Sequence, residues 1–147
     1  MSEHIYKSHN KSLLLYHFVF PAKYRRDVFT TNVDTTLRNI CIGISKRYEI
    51  NFIEIGVDEN HVHFLIQSVP TLIVTQLVKM IKSITAKKLF LAHKELKEQL
   101  WGGHLWTSGY YANTVGQFAS EEVIRKYVAG QGKTYTRLHK GQLEFDF

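Results

Sequence analysis

Two short apolar segments joined by a polar turn constrain the fold of this chain more than any other feature of its sequence. Residues 51–57 and 61–68 are rich in β-branched and aromatic residues, and Asp58-Glu59-Asn60 between them has the composition of a tight turn. Apolar segments of this length are typical of strands. The sequence therefore predicts an antiparallel β-hairpin over residues 51–68.

The second strand of this hairpin carries two histidines that are separated by one residue. Because successive strand residues point to opposite faces of a sheet, His61 and His63 should share one face. The other face would hold Val62, Phe64 and Ile66. We expect these three apolar side chains to face the helices, and the two imidazoles to face the other way.

The remaining segments extend the hairpin into an alternating order of strands and helices. The predicted elements are a strand over residues 13–20, a helix over about 32–48, a helix over about 75–100 and a strand over 110–115. Asn32 or Asp34 would cap the first helix. The resulting order, β-α-β-β-α-β, predicts an α+β fold with a ferredoxin-like antiparallel sheet.

A further helix is predicted after the fourth strand. Ser120 is suited to be its N-cap, and Glu121 and Glu122 would stabilise its first turn. The helix should end near residues 130–132 and would cover part of the open face of the sheet. Residues 133–147 are predicted to form a polar tail, so we expect one domain over residues 1–147 with its core at about 13–132.

Composition restricts the compartment and the partners. Lys and Arg total 19 against 13 Asp and Glu, and the resulting net charge of +6 suits a polyanion such as nucleic acid. Cys41 is the only cysteine, which excludes an intramolecular disulfide and a Cys-rich zinc site. Because the sequence has neither the apolar core of a signal peptide nor a membrane-spanning run, we expect a cytoplasmic protein with no membrane partner.

Two polar side chains on the last predicted helix complement the histidine pair. Tyr127 and Gln131 lie four residues apart and therefore share one stripe of the helix. Two imidazoles and an amide oxygen are able to bind a divalent ion, and a phenol beside them is able to act as a nucleophile. The spacing also fits ordinary strand histidines, a core tyrosine and a glutamine that faces solvent.

Basic residues form two groups along the chain, each of which suits either contacts with DNA phosphates or a solvated face. The residues are Lys23, Arg25 and Arg26 in the first group, and Lys79, Lys82 and Lys87 in the second. Aromatic residues between them would give stacking surfaces for unpaired bases, or anchor loops in the core. These aromatic residues are Tyr24, Trp101, Trp106, Tyr110 and Tyr111.

A glycine-rich segment near the end of the last predicted helix has part of the pattern of a phosphate-binding loop. It reads Gly-Gln-Gly-Lys-Thr over residues 130–134. The first glycine of that loop would have to stand at position 127, which is Tyr127, and the segment follows a helix instead of a strand. We therefore expect no binding of nucleotide triphosphates.

Several short motifs, taken in order, resemble one known family. They are Tyr16-His17, Lys23-Tyr24-Arg25, Asp58 to His63, Trp106, Tyr110-Tyr111, Thr114 to Gly116 and Tyr127 to Gln131. The chain resembles the small single-tyrosine transposases of bacterial and archaeal insertion sequences, within the HUH endonuclease superfamily. The motifs extend from about Leu13 to Gln131 and so cover most of the chain.

The resemblance implies a mechanism and a role for each site residue. His61, His63 and Gln131 would bind a divalent ion, Mg²⁺ or Mn²⁺, that polarises the scissile phosphate of single-stranded DNA. Tyr127 would attack this phosphate and form a 5′-phosphotyrosine link. The resemblance also implies recognition of DNA hairpins at the transposon ends by a homodimer, with residues 116–120 letting the tyrosine helix reach the partner subunit.

Two other functions remain open on the sequence. One is a domesticated relative that processes repeated palindromic elements without moving its own gene. The other is a non-catalytic module that binds single-stranded nucleic acid on the same type of sheet. The binding module would keep full activity as Tyr127→Phe, whereas either enzyme would lose its covalent chemistry.

Overall fold

A computed structural model describes the backbone of residues 5–7, 10–12, 14–115 and 134–137, and the side chains of residues 14–115. The strands are β1 (Ile5–Lys7), β2 (Asn10–Ser12), β3 (Leu14–Pro21), β4 (Asn51–Val57), β5 (His61–Ser68), β6 (Tyr111–Val115) and β7 (Thr134–Arg137). The helices are α1 (Thr31–Arg47), α2 (Val74–Ala92) and α3 (Glu95–Gln99). Short 3-10 turns lie at Lys23–Arg25 and Trp101–Gly103.

Five of these strands form one antiparallel sheet in the order β6-β3-β5-β4-β7. Strand β5 is central and is flanked by β3 and β4, and each of these three strands pairs with an antiparallel neighbour on both sides. Together with α1 and α2, strands β3 to β6 have the order and pairing of a ferredoxin-like α+β fold. The predicted fold class and the predicted hairpin of β4 and β5 are both confirmed.

The sheet has a fifth strand that the sequence did not predict. Residues 133–147 were expected to form a tail, but Thr134–Arg137 pairs with β4 in a register that matches Val57 with Thr134. Without this pairing, β4 would expose a row of backbone N–H and C=O groups. A strand of four residues is too short for an alternating pattern to be recognised in the sequence. The separate hairpin of β1 and β2 was missed for the same reason.

The hydrophobic core lies between the sheet and the two long helices. The predicted apolar face of β5 is confirmed, since Val62, Phe64 and Ile66 are fully buried in the core cluster. Helices α1 and α2 contact each other across it. Their buried residues in this cluster include Leu37, Cys41 and Ile44 from α1, and Leu77, Ile81 and Leu89 from α2.

The two helices predicted before the fourth strand both form, but their ends differ from the prediction. Helix α1 is capped by Thr30, whose side-chain oxygen accepts a hydrogen bond from the backbone N–H of Val33 at 3.3 Å, and not by Asn32 or Asp34. Asp34 instead lies inside the helix, where its carboxylate accepts a hydrogen bond from Arg38 at 2.6 Å.

Helix α2 ends at Ala92 and does not continue to residue 100. The ring of His93 hydrogen-bonds to the hydroxyl of Thr36 on α1 at 2.7 Å, which fixes the chain where it leaves the helix. The short helix α3 then brings Leu96 and Leu100 back to the core, where both are buried. The turn is therefore set by tertiary contacts that helical periodicity does not reveal.

Candidate active site

The histidine pair lies where strand alternation predicted it, on the sheet face opposite the helix-facing core. The ring centroids of His61 and His63 are 4.9 Å apart, and the ring planes meet at 71°. His63 is buried, whereas His61 retains 22 % of its side-chain exposure at the start of β5. One imidazole is therefore held inside the fold and the other borders solvent.

The outer imidazole is oriented by the turn that precedes β5. Nδ1 of His61 lies 2.7 Å from the side-chain oxygen of Asn60, which accepts a hydrogen bond when Nδ1 carries the proton. In that tautomer, the lone pair of His61 is on Nε2. A carboxylate oxygen of Asp58 lies 3.7 Å from Nε2, so negative charge accompanies the nitrogen that would bind a cation.

A third imidazole, to which no sequence pattern assigned a role, adjoins this pair. Nε2 of His17 on β3 lies 3.2 Å from Nδ1 of His63, and both residues are buried. Burial lowers the pKa of His17 to about 4, so its ring is neutral at neutral pH. Alternation with Phe18 would have placed His17 on the histidine face, but the contact depends on the register that pairs Val19 with His63.

The donor set of this face fits a divalent ion in part. Two adjacent imidazoles with a carboxylate beside the outer one are suitable ligands and neighbours for a first-row divalent ion. Among residues whose side chains are described, no group of three or more His, Cys, Asp or Glu residues is arranged to hold a metal ion. A third ligand of another type, as predicted for Gln131, would complete the set.

A shallow pocket of about 600 Å³ opens beside the histidine pair. The ends of β3, β5 and β6 and the loop before β6 surround it. Its lining residues are Val19, Pro21, Arg25, His61, His63, Thr107, Gly109, Tyr110 and Tyr111. The pocket therefore combines two imidazoles, one guanidinium and two partly exposed phenols.

Arg25 enters this pocket from a strained turn. Tyr24 and Arg25 have φ angles of 60° and 53°, a left-handed conformation that non-glycine residues rarely adopt. Strain of this kind persists where the surrounding structure enforces it, and it is common at functional sites. The backbone N–H of Lys23 donates to the carbonyl of Leu105 at 2.7 Å, which ties the turn to the loop before β6.

The other predicted DNA-binding residues lie on separate surfaces of the protein. Lys23, Lys79 and Lys82 line a groove of about 800 Å³ between α2 and the loop at residues 103–110. Arg26 lies over the ring of Trp101 at 5.8 Å. Lys87 is exposed on the far side of α2, in a cavity that it shares with Arg47 of α1.

Lys82 is engaged by the protein itself. Its ammonium group donates to the carbonyls of Thr107, Ser108 and Gly109 at 2.8, 3.4 and 3.1 Å, and lies 5.2 Å from the ring centre of Tyr110. Burial lowers the pKa of this lysine. These contacts hold the loop beside the pocket, and contact of Lys82 with DNA stays a prediction.

The predicted stacking residues divide into exposed and buried ones. Trp106 is buried, and its indole N–H donates to the hydroxyl of Thr85 at 2.9 Å, so it anchors the loop in the core. The other four aromatic residues are exposed. They are Tyr24, Trp101, Tyr110 and Tyr111.

Two predicted site residues, Tyr127 and Gln131, lie outside the described residues, as does the helix predicted over residues 120–131. Their proximity to the histidine pair remains a prediction. Within the described part of the chain, no helix combines the length and apolar character needed to cross a membrane.

Comparisons with known proteins converge on one family. The family model described as IS200-like transposase matches residues 10–131. The ISDra2 transposase TnpA of Deinococcus radiodurans is 34 % identical over 118 residues, which cover 80 % of this chain and 84 % of the relative. The transposase of insertion sequence IS200 from Salmonella typhimurium is 25 % identical over 124 residues, or 84 % of this chain and 80 % of the relative.

Solved structures agree with these sequence relatives. A crystal structure of a Deinococcus radiodurans protein assigned as a transposase has a TM-score of 0.70 and 27 % identity, covering 87 % of this chain and 98 % of that one. A REP-associated tyrosine transposase bound to a REP hairpin has a TM-score of 0.53 and 13 % identity. The match covers 84 % of this chain and 67 % of that one. The second likeness is one of fold alone.

Proposed function

The chain belongs to the family of IS200-like transposases, and from that membership we propose that it cleaves and rejoins single-stranded DNA at the ends of an insertion sequence, with Tyr127 as nucleophile. The observation that carries this proposal is the adjacency of His61 and His63 at an open pocket that also contains Arg25. Cationic and metal-binding groups beside a phosphate can stabilise the charge that develops on it during transfer.

The reaction exchanges one phosphate ester for another. The phenol oxygen of Tyr127 bonds to phosphorus as the bond from phosphorus to the 3′ oxygen breaks. The phenol gives up its proton, and the departing 3′ oxygen takes one, so that a 5′-phosphotyrosine and a 3′-hydroxyl result. Attack by the 3′-hydroxyl of another strand reverses the step and joins new ends. Because each step forms one phosphate ester bond as another breaks, no nucleotide triphosphate is needed.

Within this proposal, His61 and His63 would hold a divalent ion, Mg²⁺ or Mn²⁺, with Gln131 as the third protein ligand. When bound, the ion polarises the scissile phosphate and offsets the charge that develops on it. Asn60 fixes the ring of His61, and Arg25 donates hydrogen bonds to a phosphate oxygen from the wall of the pocket.

The DNA partner is proposed to be a hairpin flanked by single strand. A transposase of the same fold has been solved bound to a REP hairpin, which supports a hairpin partner for this fold. The groove lined by Lys23 and Lys79 would contact phosphates, and exposed Trp101 would stack on an unpaired base. A homodimer would present two such surfaces to the two ends of the element.

Formation of a covalent adduct tests the proposal. The protein is incubated with labelled single-stranded DNA from the ends of its element, with and without Mn²⁺, and analysed under denaturing conditions. We expect a metal-dependent adduct that is absent in Tyr127→Phe and retained in Tyr48→Phe, because Tyr48 is the C-cap residue of α1. Tight hairpin binding without any adduct would favour the non-catalytic binding module.

A further inference from the structure

The inner histidine of the pair is contacted by a neighbour that no step of the mechanism uses. We propose that His17 is a positioning residue: it accepts a hydrogen bond from Nδ1–H of His63 and thereby fixes the tautomer in which the Nε2 lone pair of His63 binds the divalent ion. This inference rests on the proposed function, because it assigns His63 as a metal ligand.

The geometry of the two rings is that of a hydrogen bond between ring edges. Nε2 of His17 lies 3.2 Å from Nδ1 of His63, and the ring planes differ by only 14°. The centroids are 5.3 Å apart, close to the nitrogen–nitrogen distance extended by the two distances from nitrogen to ring centre. The rings are therefore nearly parallel and face each other through these two nitrogen atoms, so that an N–H of one can point toward the lone pair of the other.

A hydrogen bond between two neutral imidazoles contains one proton, and its position determines which nitrogen can bind a metal. If Nδ1 of His63 carries the proton, the lone pair of His63 is on Nε2. If Nε2 of His17 carries it, His63 is protonated on Nε2 and that nitrogen cannot be a ligand. Metal binding through Nε2 of His63 therefore requires His17 to be the acceptor, in its Nδ1–H tautomer.

The position of His17 is suited to this role. It lies on β3, which is hydrogen-bonded to β5 on one side and to β6 on the other. Its buried ring also meets the edge of Tyr111 at 5.9 Å between centroids. A partner held on a paired central strand restricts the rotation of the ligand ring, and partners of this kind typically change metal affinity by about 10- to 100-fold.

Two variants of His17 distinguish the effect of its hydrogen-bond acceptor from the effect of its ring volume. His17→Phe keeps a ring but removes the acceptor, and His17→Gln places an amide oxygen near the position of Nε2. We expect Mn²⁺ to bind His17→Phe about 10- to 100-fold more weakly than the wild type, as measured by electron paramagnetic resonance of free Mn²⁺. His17→Gln should remain within a few fold of the wild type. Tyr16→Phe, on the other face of the same strand, is the matched control and should bind Mn²⁺ normally.

A second measurement needs neither metal nor activity. Nitrogen-15 correlation spectra of the metal-free wild type should show His63 protonated on Nδ1 and His17 unprotonated on Nε2. The opposite tautomers, or unchanged Mn²⁺ affinity in His17→Phe, would overturn the inference. If His17→Phe fails to fold, the inference is tested by the nitrogen-15 spectra of the wild type and by the Mn²⁺ affinity of His17→Gln. A wild type that shows the expected tautomers but binds no Mn²⁺ would refute the proposed metal centre and leave the contact with His17 established.

Discussion

At the scale of single residues, the proposed ligand atoms predict which divalent ion the site prefers. Imidazole nitrogens bind Mn²⁺ more strongly than Mg²⁺, which prefers oxygen ligands and dehydrates reluctantly. If His61 and His63 are two of three protein ligands, as proposed, we expect Mn²⁺ to support adduct formation at a lower concentration than Mg²⁺. Titration of each ion in the adduct assay measures the difference. Equal half-maximal concentrations of Mn²⁺ and Mg²⁺ would contradict ligation by both imidazole rings. The double variant His61→Ala/His63→Ala should abolish the response to either ion.

Arg25 is the other residue whose position predicts a chemical effect. Because its guanidinium lines the histidine pocket, Arg25→Ala should remove a donor to the reacting phosphate and lower the single-turnover cleavage rate by about 100-fold. Arg47→Ala removes the same charge from an exposed site near the end of α1 and serves as the control. Equal single-turnover cleavage rates in the two variants would show that Arg25 does not contribute to the reaction.

The sequence predicted the faces of the site but not its contacts. Period-two alternation was sufficient to put His61 and His63 on one face, because alternation is a local property of a strand. The contact of His17 with His63 depends instead on the register between β3 and β5. The two residues are 46 positions apart in the sequence. The placement of Tyr127 and Gln131 remains a prediction from helical spacing.

At the scale of elements, the loop before β6 depends on one side chain of α2. Lys82 donates hydrogen bonds to the carbonyls of Thr107, Ser108 and Gly109, and the loop also pairs with the end of β3. Lys82→Met should lower the free energy of unfolding by about 1–3 kcal/mol, because the carbonyls lose a charged donor. Urea denaturation measures this change.

Lys79→Met is the matched control for this prediction, since Lys79 lies one turn earlier on α2 and is exposed. It should leave stability nearly unchanged and weaken DNA binding. If Lys82→Met were as stable as Lys79→Met and equally impaired in DNA binding, Lys82 would be a DNA contact and not a support of the loop.

Elements that are long and periodic were predicted well, whereas elements created by tertiary contacts were not. The bounds of β4 and β5 agree with the prediction, because the apolar composition of the two strands and the polar turn between them are local features of the sequence. The end of α2 is set by the contact of His93 with Thr36, and β7 exists through its pairing with β4. Neither partner is adjacent in sequence, so neither feature leaves a local pattern.

At the scale of the whole molecule, the positive charge predicts strong dependence of DNA binding on salt. Each phosphate neutralised by a lysine or arginine on a single strand contributes about 0.7 to the slope of log affinity against log salt concentration. The double variant Lys23→Ala/Lys79→Ala, which removes two charges from one groove, should therefore reduce the slope by about 1.4. Lys46→Ala/Lys97→Ala removes two charges elsewhere and should leave the slope unchanged. A slope that falls equally in both would indicate general attraction and not a defined groove.

The assembly of the active site is the remaining property of the whole molecule that can be tested. If the histidine pair of one subunit acts with Tyr127 of its partner, then a His61→Ala/His63→Ala subunit and a Tyr127→Phe subunit are each inactive alone but together form one complete site per mixed dimer. Random mixing places half of the subunit pairs in mixed dimers, so adduct formation should return to about a quarter of the wild-type amount, on one of the two sites in each mixed dimer. The adduct should be on the subunit that retains Tyr127, which a size tag on one subunit identifies. If each subunit builds its own site, mixing restores nothing, because no subunit then has both the histidine pair and the tyrosine.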